Sequence, residues 1–413
     1  MNLFKLYILL LGTLLLVQQH IWTQKCKDFL IFDGSEKVVS FGIDTTGNWW
    51  ILTQPFFDEY RLIISGESTQ SFKEIRNLTF SPDGSNWAFF GRTATNWLFV
   101  LPDTSISLFA EKVLSLGFSQ NSENYYFAYQ NGTETTIVFG GKQIRITNFD
   151  EKVYANYDGT RIAFVLSYGK MSSIVIPDEF ESEKFDEVKP LGFWYDNDFI
   201  FAGRKGNFWQ IYKNHNPLSE EFVQLIDMKI NNRGNCAVFI IKRNENDFVA
   251  LLYSDIYSEP LTSKSYDYIT NLQLHPTEPL VTFLATKGLN KYIVYGNVEY
   301  PIGNYEAFPQ FTFDGSEIFY CFCNIECYFY VDGNRYTLPG GISCNNQIAR
   351  KPKTTTIAFA NYTSLVLLDY FLNIQFSGMM VDKIIQPIYN HRTKRYETLG
   401  EINNKIYLLT CEP

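Results

Sequence analysis

NLTFSPDGSNWAFFGR, residues 77–92, places two short apolar runs on either side of an Asp-Gly pair. Asp-Gly readily adopts the positive φ that a tight hairpin turn requires. Short runs rich in aromatic and β-branched residues are typical of strands. The stretch therefore predicts a β-hairpin, and similar stretches recur at 153–167 (VYANYDGTRIAFVLS) and 308–322 (FPQFTFDGSEIFYCF).

The hairpin belongs to a repeat that runs through almost the whole chain. Equivalent positions after the turn are 37 to 39 residues apart, except for one interval of 44 residues. Four strand-like runs fit into each unit, which is the pattern of a propeller blade. We predict an all-β β-propeller of about ten four-stranded blades, with two smaller tandem propellers as the alternative. The equivalent residues are Trp50, Trp87, Tyr125, Ile162, Phe199, Ala237, Val281, Ile318, Ile357 and Tyr396.

The run FSPDG at 80–84, followed by Trp87-Ala88-Phe89, resembles the repeat of TolB-type and WD-like (WD40-like) β-propellers. This resemblance extends over essentially the whole chain after the first 23 residues, but only at the level of the single blade. It implies the fold and carries no activity, because that repeat serves binding proteins and peptidase accessory domains alike. The blade-turn residues are Asp83 and Gly84, Asp158 and Gly159, and Asp314 and Gly315.

The first 23 residues predict a secretory signal peptide, which leaves a propeller domain at 24–413. Lys5 precedes an apolar run over 6–17 that is too short for a comfortable membrane span. An uncleaved signal anchor is the rival interpretation, and the rest of the chain contains no run that predicts a span. We expect a secreted glycoprotein, or one in the endomembrane lumen. The acceptor triplets for N-glycosylation are Asn77, Asn131 and Asn361.

The two ends of the mature chain predict how the repeat closes. The C-terminal unit stops after the strand-like run at 405–411, and an extra strand-like run at 27–34 precedes the first complete unit. We predict that the N-terminal strand completes the last blade by antiparallel pairing, which avoids an open sheet edge. This pairing places Cys26 beside Cys411, and in an oxidising compartment it predicts a disulfide between them.

The other cysteines leave several pairings open. Cys323 and Cys327 flank a hairpin turn and could bridge it, but Cys344 could compete for either of them or for Cys321. Seven cysteines cannot all pair within one chain, and we expect Cys236 to be a buried free thiol. A zinc site at the cluster is disfavoured because no histidine lies nearby, so we predict disulfides and no metal site.

Composition and motifs point to binding rather than catalysis. Lys+Arg 35 against Asp+Glu 44 gives a net charge of −9, which argues against nucleic acid or an anionic membrane as partner. No catalytic motif and no phosphate-binding glycine loop is present, so we expect no catalytic residues and no cofactor. The predicted function is a non-catalytic scaffold for a protein or glycan partner. A carbohydrate-active hydrolase or lyase with a site on the propeller axis is the alternative.

Two surface segments are candidate contact sites. The segment 177–190 carries six carboxylates and could hold a cation or a basic partner, although a solvated connector is the commoner outcome. Phe56 and Phe57 lie in a predicted turn, where they either mark a contact patch or fold back over the blade. We interpret the aromatic excess, Phe 36 and Tyr 27, as packing between blades.

Overall fold

The computed structural model describes residues 25–323, 326–338, 348–361, 363–371 and 374–413, and these residues form 41 strands and no helix. The predicted signal peptide lies outside the described residues. The chain forms two compact units. Unit 1 contains the described residues up to Ser71, Cys323–Phe329, and those from Arg335 onward; unit 2 contains Phe72–Phe322 and Tyr330–Asn334.

Unit 1 contains the first, ninth and tenth sheets, and all neighbouring strands in them are antiparallel. The first sheet consists of β2 (Lys37–Ile43), β3 (Trp49–Phe56), β4 (Glu59–Ile64) and β5 (Glu67–Ser68). The ninth consists of β34 (Ile348–Arg350), β35 (Thr356–Asn361), β36 (Ser364–Asp369) and β37 (Ile374–Ser377). The tenth consists of β38 (Lys383–Ile384), β39 (Ile388–Asn390), β40 (Arg395–Ile402), β41 (Lys405–Cys411) and β1 (Cys26–Phe32).

Unit 2 contains the second to seventh sheets, each with four consecutive strands paired in chain order. The second sheet has β6 (Glu74–Phe80), β7 (Trp87–Arg92), β8 (Trp97–Val100) and β9 (Ser105–Leu108). The third has β10 (Lys112–Phe118), β11 (Tyr125–Asn131), β12 (Glu134–Phe139) and β13 (Lys142–Ile146). The fourth has β14 (Phe149–Ala155), β15 (Ile162–Tyr168), β16 (Met171–Ile176) and β17 (Phe180–Glu181).

The remaining sheets follow the same plan. The fifth has β18 (Glu187–Phe193), β19 (Phe199–Lys205), β20 (Phe208–Lys213) and β21 (Asn216–Pro217). The sixth has β22 (Gln224–Ile230), β23 (Cys236–Asn244), β24 (Asp247–Ser254) and β25 (Leu261–Thr262). The seventh has β26 (Tyr268–Leu274), β27 (Val281–Lys287), β28 (Asn290–Tyr295) and β29 (Val298–Gly303). The eighth, whose residues are divided between the units, has β30 (Gln310–Phe311), β31 (Ile318–Cys323), β32 (Cys327–Val331) and β33 (Asn334–Thr337).

The predicted phase of the repeat is confirmed. All ten equivalent residues fall on the first or second residue of the second strand in their sheet, as Trp87 does in β7 and Ile162 does in β15. The all-β propeller of ten blades is therefore confirmed, and each blade is one sheet. In the tenth blade the first strand is interrupted, since β38 and β39 both pair with β40.

The predicted closing strand is also confirmed. β1 pairs antiparallel with β41 in the tenth sheet, and its register places Cys26 opposite Cys411. The strand thus supplies the fourth place in a sheet that the C-terminal repeat leaves incomplete. Pairing this edge satisfies backbone groups that would otherwise be left without partners.

A β-bulge recurs in the first strand of seven sheets and was not predicted. The pairing register shifts within β2, β6, β10, β14, β18, β22 and β26, for example between Phe149 and Val153 in β14. A bulge inserts unpaired residues on one strand and changes the direction in which the following side chains point. Periodicity misses it because the shift alters the pairing of a strand without altering the spacing of the repeat.

Within unit 2 the core is a series of apolar clusters, each shared by two successive sheets. Three aromatic side chains in the links between these sheets are buried in such clusters: Phe185, Phe222 and Tyr266. The ring of Phe185 fills space that a second-strand glycine leaves open, since a Cβ on Gly203 would lie 2.5 Å from that ring. Much of the aromatic excess therefore packs one blade against the next.

Candidate binding cleft

A cleft of about 270 Å³ lies within unit 2, at the ends of the first strands of four successive sheets. Residues of β10, β14, β18 and β22, and of the turns that follow them, form its walls. This volume is close to the lower end of the range for small-molecule sites. The cleft is therefore suited to a ligand group of about one ring, rather than to a large flat contact.

Backbone as well as side chains face the cleft. β14 contributes the consecutive lining residues Lys152 to Ala155, and β18 contributes Leu191 to Phe193. Because successive side chains of a strand point to opposite faces, consecutive residues line the cleft with their backbone as well. Both strands are sheet edges, so their outer N–H and C=O groups have no partner in their own sheet. One of these groups is engaged by the neighbouring sheet, because the Val153 amide donates to Ser115 Oγ at 3.3 Å.

The second position of each turn after the first strand places an exposed side chain on the rim of the cleft. Tyr157 and Tyr195 are 62% and 57% exposed, which is unusual for aromatic residues that are mostly buried in this fold. Gln120 and Asn232 occupy the same position in the flanking turns and have no hydrogen-bond partner among the described residues. We call Gln120, Tyr157, Tyr195 and Asn232 the rim residues.

The turns that carry the rim residues are tied to one another. The Asn121 amide donates to Tyr157 O at 3.1 Å, and the Tyr195 amide donates to Gly234 O at 2.9 Å. Asn156 Nδ2 also donates to Asn197 Oδ1 at 2.9 Å. These bonds join successive sheets, so the rim residues are held by a continuous hydrogen-bonded scaffold.

The charged side chains that line the cleft are both cationic. Lys152 Nζ lies 4.9 Å from the centroid of the Tyr154 ring, within the range of a cation–π contact. Arg233 forms no ion pair or hydrogen bond within the described part of the chain. No carboxylate belongs to the lining residues, although the chain as a whole carries a net charge of −9.

Nearby carboxylates are mostly engaged elsewhere. Lys213 Nζ binds Asp196 at 2.6 Å and Asp198 at 3.1 Å, and Glu151 pairs with Lys112. Asp150 is the exception, because it acts on Tyr154 through space. Burial first, and then the charge of Asp150, raise the pKa of Tyr154 to about 12, so its hydroxyl remains a neutral hydrogen-bond donor.

The predicted blade-turn residues form the tight turns between first and second strands. Gly84, Gly159 and Gly315 all have positive φ, between 66° and 74°. The Ser85 amide and the Ser81 hydroxyl hold the pKa of Asp83 at about 2. Asp158 and Asp314 accept bonds from the hydroxyl and amide of the residue two places on in the same way. These residues shape the turns, and the cleft is lined by their neighbours.

His275 occupies the place in its turn that Ser81 has in the turn after β6. Its Nδ1 accepts the amides of Thr277 at 3.2 Å and Glu278 at 2.9 Å. The proton must therefore be on Nε2, which donates to Gly315 O at 2.9 Å. The ring is buried and all its polar atoms are used, so the histidine joins two turns within unit 2.

Two disulfides have both of their cysteines among the described residues, namely Cys26–Cys411 and Cys323–Cys327. Cys236 is a buried free thiol whose pKa is raised by burial. Cys321 is also disulfide-bonded, whereas Cys344 lies outside the described residues. Disulfides of this kind indicate an oxidising environment, either extracellular or lumenal.

The three glycosylation triplets lie in different surroundings. Asn131 and Asn361 end the second strands of their sheets, at equivalent hairpin turns. Asn77 lies at the bulge of β6 with a φ of 55°, and its Nδ2 donates to Leu114 O at 2.9 Å. Because N-glycosylation modifies this same nitrogen, the contact predicts a lower occupancy at Asn77 than at the other two triplets. Glycosylation at all three residues stays a prediction.

The other two candidate surfaces differ in outcome. Most carboxylates at 177–190 have partners within the same unit, including Glu183 with Lys205 and Glu187 with Arg204, as expected of a connector rather than a cation site. Phe56 and Phe57 are both exposed, and Phe57 has 88% of its surface accessible. The pair does not fold back over its sheet in unit 1.

The described residues contain neither a cluster of metal ligands nor a membrane-spanning helix. No group of three or more His, Cys, Asp or Glu side chains has the proximity that a metal ion requires within these residues. No helix long and apolar enough to cross a membrane occurs in the described part of the chain.

Comparison with known proteins finds distant similarity only. No protein-family model matches the chain, and no curated protein matches it. Among solved structures, a eukaryotic initiation factor is 10% identical with a TM-score of 0.45, covering 73% of this chain and 90% of that chain. The Dos1 propeller is 9% identical with a TM-score of 0.42, covering 81% and 90% respectively. Likeness of this degree concerns the fold alone.

Proposed function

We propose that this protein is a secreted or lumenal β-propeller of the TolB-type and WD-like kind that binds a protein or glycan partner without catalysis. The observation that carries the proposal is the cleft, which is lined by exposed aromatic rings and by cations without ion-pair partners. The turns that carry these residues are hydrogen-bonded to one another. Propellers serve as binding scaffolds in many settings, and exposed tyrosines at a concave surface are typical of contact sites.

The residues of the cleft favour binding over carbohydrate hydrolysis. Glycoside hydrolysis generally uses two carboxylates facing each other across the bond that breaks. The lining residues supply tyrosine hydroxyls, amides, a lysine and an arginine, but no carboxylate pair. The hydrolase or lyase alternative would therefore need a different site from the one that the cleft provides.

A retention experiment tests this proposal. The mature protein would be immobilised and exposed to its native extracellular medium, and retained proteins and glycans would be identified by mass spectrometry. We expect a specific molecule to be retained by the wild type and lost from the double variant Tyr157→Ala/Tyr195→Ala. Phe109→Ala is the matched control, since Phe109 is exposed in the same unit but does not line the cleft.

The outcomes separate the alternatives. Retention that the tyrosine variant does not change would place the contact elsewhere and overturn the assignment of the cleft. Release of shortened glycans by the wild-type protein would favour the hydrolase or lyase. Loss of retention in the Phe109→Ala control as well would show that the effect is not specific to the cleft.

A further inference from the structure

The cleft combines features that select one class of ligand. Its rim presents two exposed aromatic rings, Tyr157 and Tyr195, with the free amides of Gln120 and Asn232 on either side. A pyranose ring has an apolar C–H face that packs on an aromatic ring and a polar edge of hydroxyls that bind amides. The rim residues therefore match a sugar in both shape and polarity.

The charge of the cleft adds a second condition. Lys152 and Arg233 both line it, and neither forms an ion pair among the described residues. Two cations that line one cleft favour an anionic ligand, because opposite charges attract. Asp150 acts on Tyr154, but no carboxylate is among the lining residues, so the charged side chains that face a bound ligand are the two cations. A ligand with an anionic group would supply the opposite charge.

We propose that the cleft binds an acidic sugar unit, a pyranose that carries a carboxylate or a sulfate. Tyr157 and Tyr195 pack against the ring, and Lys152 and Arg233 bind the anionic group. Gln120, Asn232 and the outer backbone groups of β14 and β18 bind the hydroxyls. The inference rests on the proposed binding function and narrows it to one ligand chemistry.

An acidic peptide is the competing ligand, and the structure disfavours it. A peptide commonly binds a sheet edge by adding a strand, which needs an uninterrupted row of backbone groups. The edge of β14 is interrupted by its bulge, and the Val153 amide is already bound to Ser115. The cleft also has room for about one ring, which is less than an extended peptide occupies.

The test is calorimetric titration of the full mature chain with defined probes. The acidic probes are a tetrasaccharide of alternating glucuronate and N-acetylglucosamine, and an N-acetylglucosamine oligosaccharide carrying 6-sulfates. The neutral probe is the N-acetylglucosamine tetrasaccharide, and a Glu-rich octapeptide represents the peptide class. We expect at least one acidic sugar to bind about tenfold or more tightly than the neutral sugar, and more tightly than the peptide. The two acidic probes distinguish carboxylate from sulfate.

Variants separate the two roles within the cleft. Arg233→Gln and Lys152→Gln should each weaken the acidic probe by roughly three- to tenfold and leave the neutral probe unchanged. Tyr157→Ala should weaken both probes, because the ring contact does not depend on charge. Lys170→Gln is the control, since Lys170 is an exposed lysine of the same unit outside the cleft.

Each outcome bears on a different claim. Equal binding of acidic and neutral sugars, with no effect of the cation variants, overturns the acidic-sugar inference but leaves the binding function standing. Tighter binding of the peptide than of any sugar also overturns it. No binding of any sugar overturns it too, and the retention experiment then decides separately whether the cleft binds another partner.

Discussion

At the scale of single residues, the blade turns show why a repeated Asp-Gly pair is needed. The glycine adopts a positive φ, and it also lies against the turn of a neighbouring sheet. A Cβ on Gly315 would lie 2.0 Å from His275 Nε2, and one on Gly159 would lie 2.9 Å from the Cβ of Asn124. Glycine is thus required twice, once by the local conformation and once by the close packing of two turns.

Gly315→Ala should lower the free energy of unfolding by more than a substitution that imposes only backbone strain. Gly288→Ala is the matched control, since Gly288 has a φ of 61° and a methyl group there would meet no atom within 4 Å. We expect about 1–2 kcal/mol for the control, and roughly 1–3 kcal/mol more for Gly315→Ala because the methyl group displaces His275. Chemical denaturation of both variants measures this difference, and equal losses would contradict the packing argument.

At the scale of elements, the links between sheets contribute more than connection. Phe222 lies in the link before β22, where it forms two backbone hydrogen bonds with Trp209 and buries its ring in the cluster shared by the fifth and sixth sheets. Its counterparts Phe185 and Tyr266 are buried in the clusters shared by the sheets on either side of them. These three links thus each carry an aromatic side chain that packs one sheet against the next.

Phe222→Ala should destabilise the fold by about 3–5 kcal/mol, the usual result of removing a fully buried phenylalanine. Phe208→Ala in the same unit is the control, because Phe208 begins β20 with half of its surface exposed, and we expect about 1 kcal/mol or less there. Thermal and denaturant unfolding of the two variants supply the comparison. Similar losses for both would mean that the link aromatic is not an anchor.

At the scale of the whole molecule, one disulfide spans nearly the entire described chain. Cys26 and Cys411 are separated by 385 positions, whereas Cys323 and Cys327 are separated by 4. A covalent link restricts the unfolded chain more strongly as the loop that it closes becomes longer. The two bonds should therefore differ in their effect on stability, although both join residues of neighbouring antiparallel strands.

Replacing both cysteines of the long loop, Cys26→Ser/Cys411→Ser, should lower the thermal midpoint by several degrees under oxidising conditions. The matched variant Cys323→Ser/Cys327→Ser should have a smaller effect, since the loop-entropy model assigns the long loop roughly 3–4 kcal/mol more. Differential scanning calorimetry without reductant measures both. If the short-loop variant lost as much as the long-loop variant, chain entropy would not be the source of the stabilisation.

The fold could be predicted from the sequence because the same pattern of strands and turns occurs ten times. Residues such as Trp87 and Ile162 recur at constant spacing, so errors in one copy are corrected by the others, and the phase of every second strand was right. The bulges could not be predicted in this way, because the spacing of the repeat does not record how a first strand pairs. Glu151 and Asn77, for example, adopt a positive φ where the register of β14 and β6 shifts.

The cleft was also missed, and for a related reason. We interpreted the aromatic residues as packing, which is correct for Phe185 and Phe222 but not for Tyr157 and Tyr195. A signal was present, since both tyrosines occupy the same turn position in consecutive repeats, one residue before an aspartate. Whether such a side chain is exposed depends on how neighbouring turns stack, and that information is not contained in one repeat.

The pairing of β1 with β41 brings residues distant in the sequence into contact, with the Cα atoms of Cys26 and Cys411 only 4.0 Å apart. The path of the backbone from Cys26 to Cys411 is therefore almost a closed loop, and a linker of a few residues from the end of β41 to the start of β1 would connect them without disturbing either strand. New chain ends could then be introduced at another position. A circularly permuted version opened at an exposed hairpin such as 288–289 keeps the pairing of β27 with β28 and of β1 with β41.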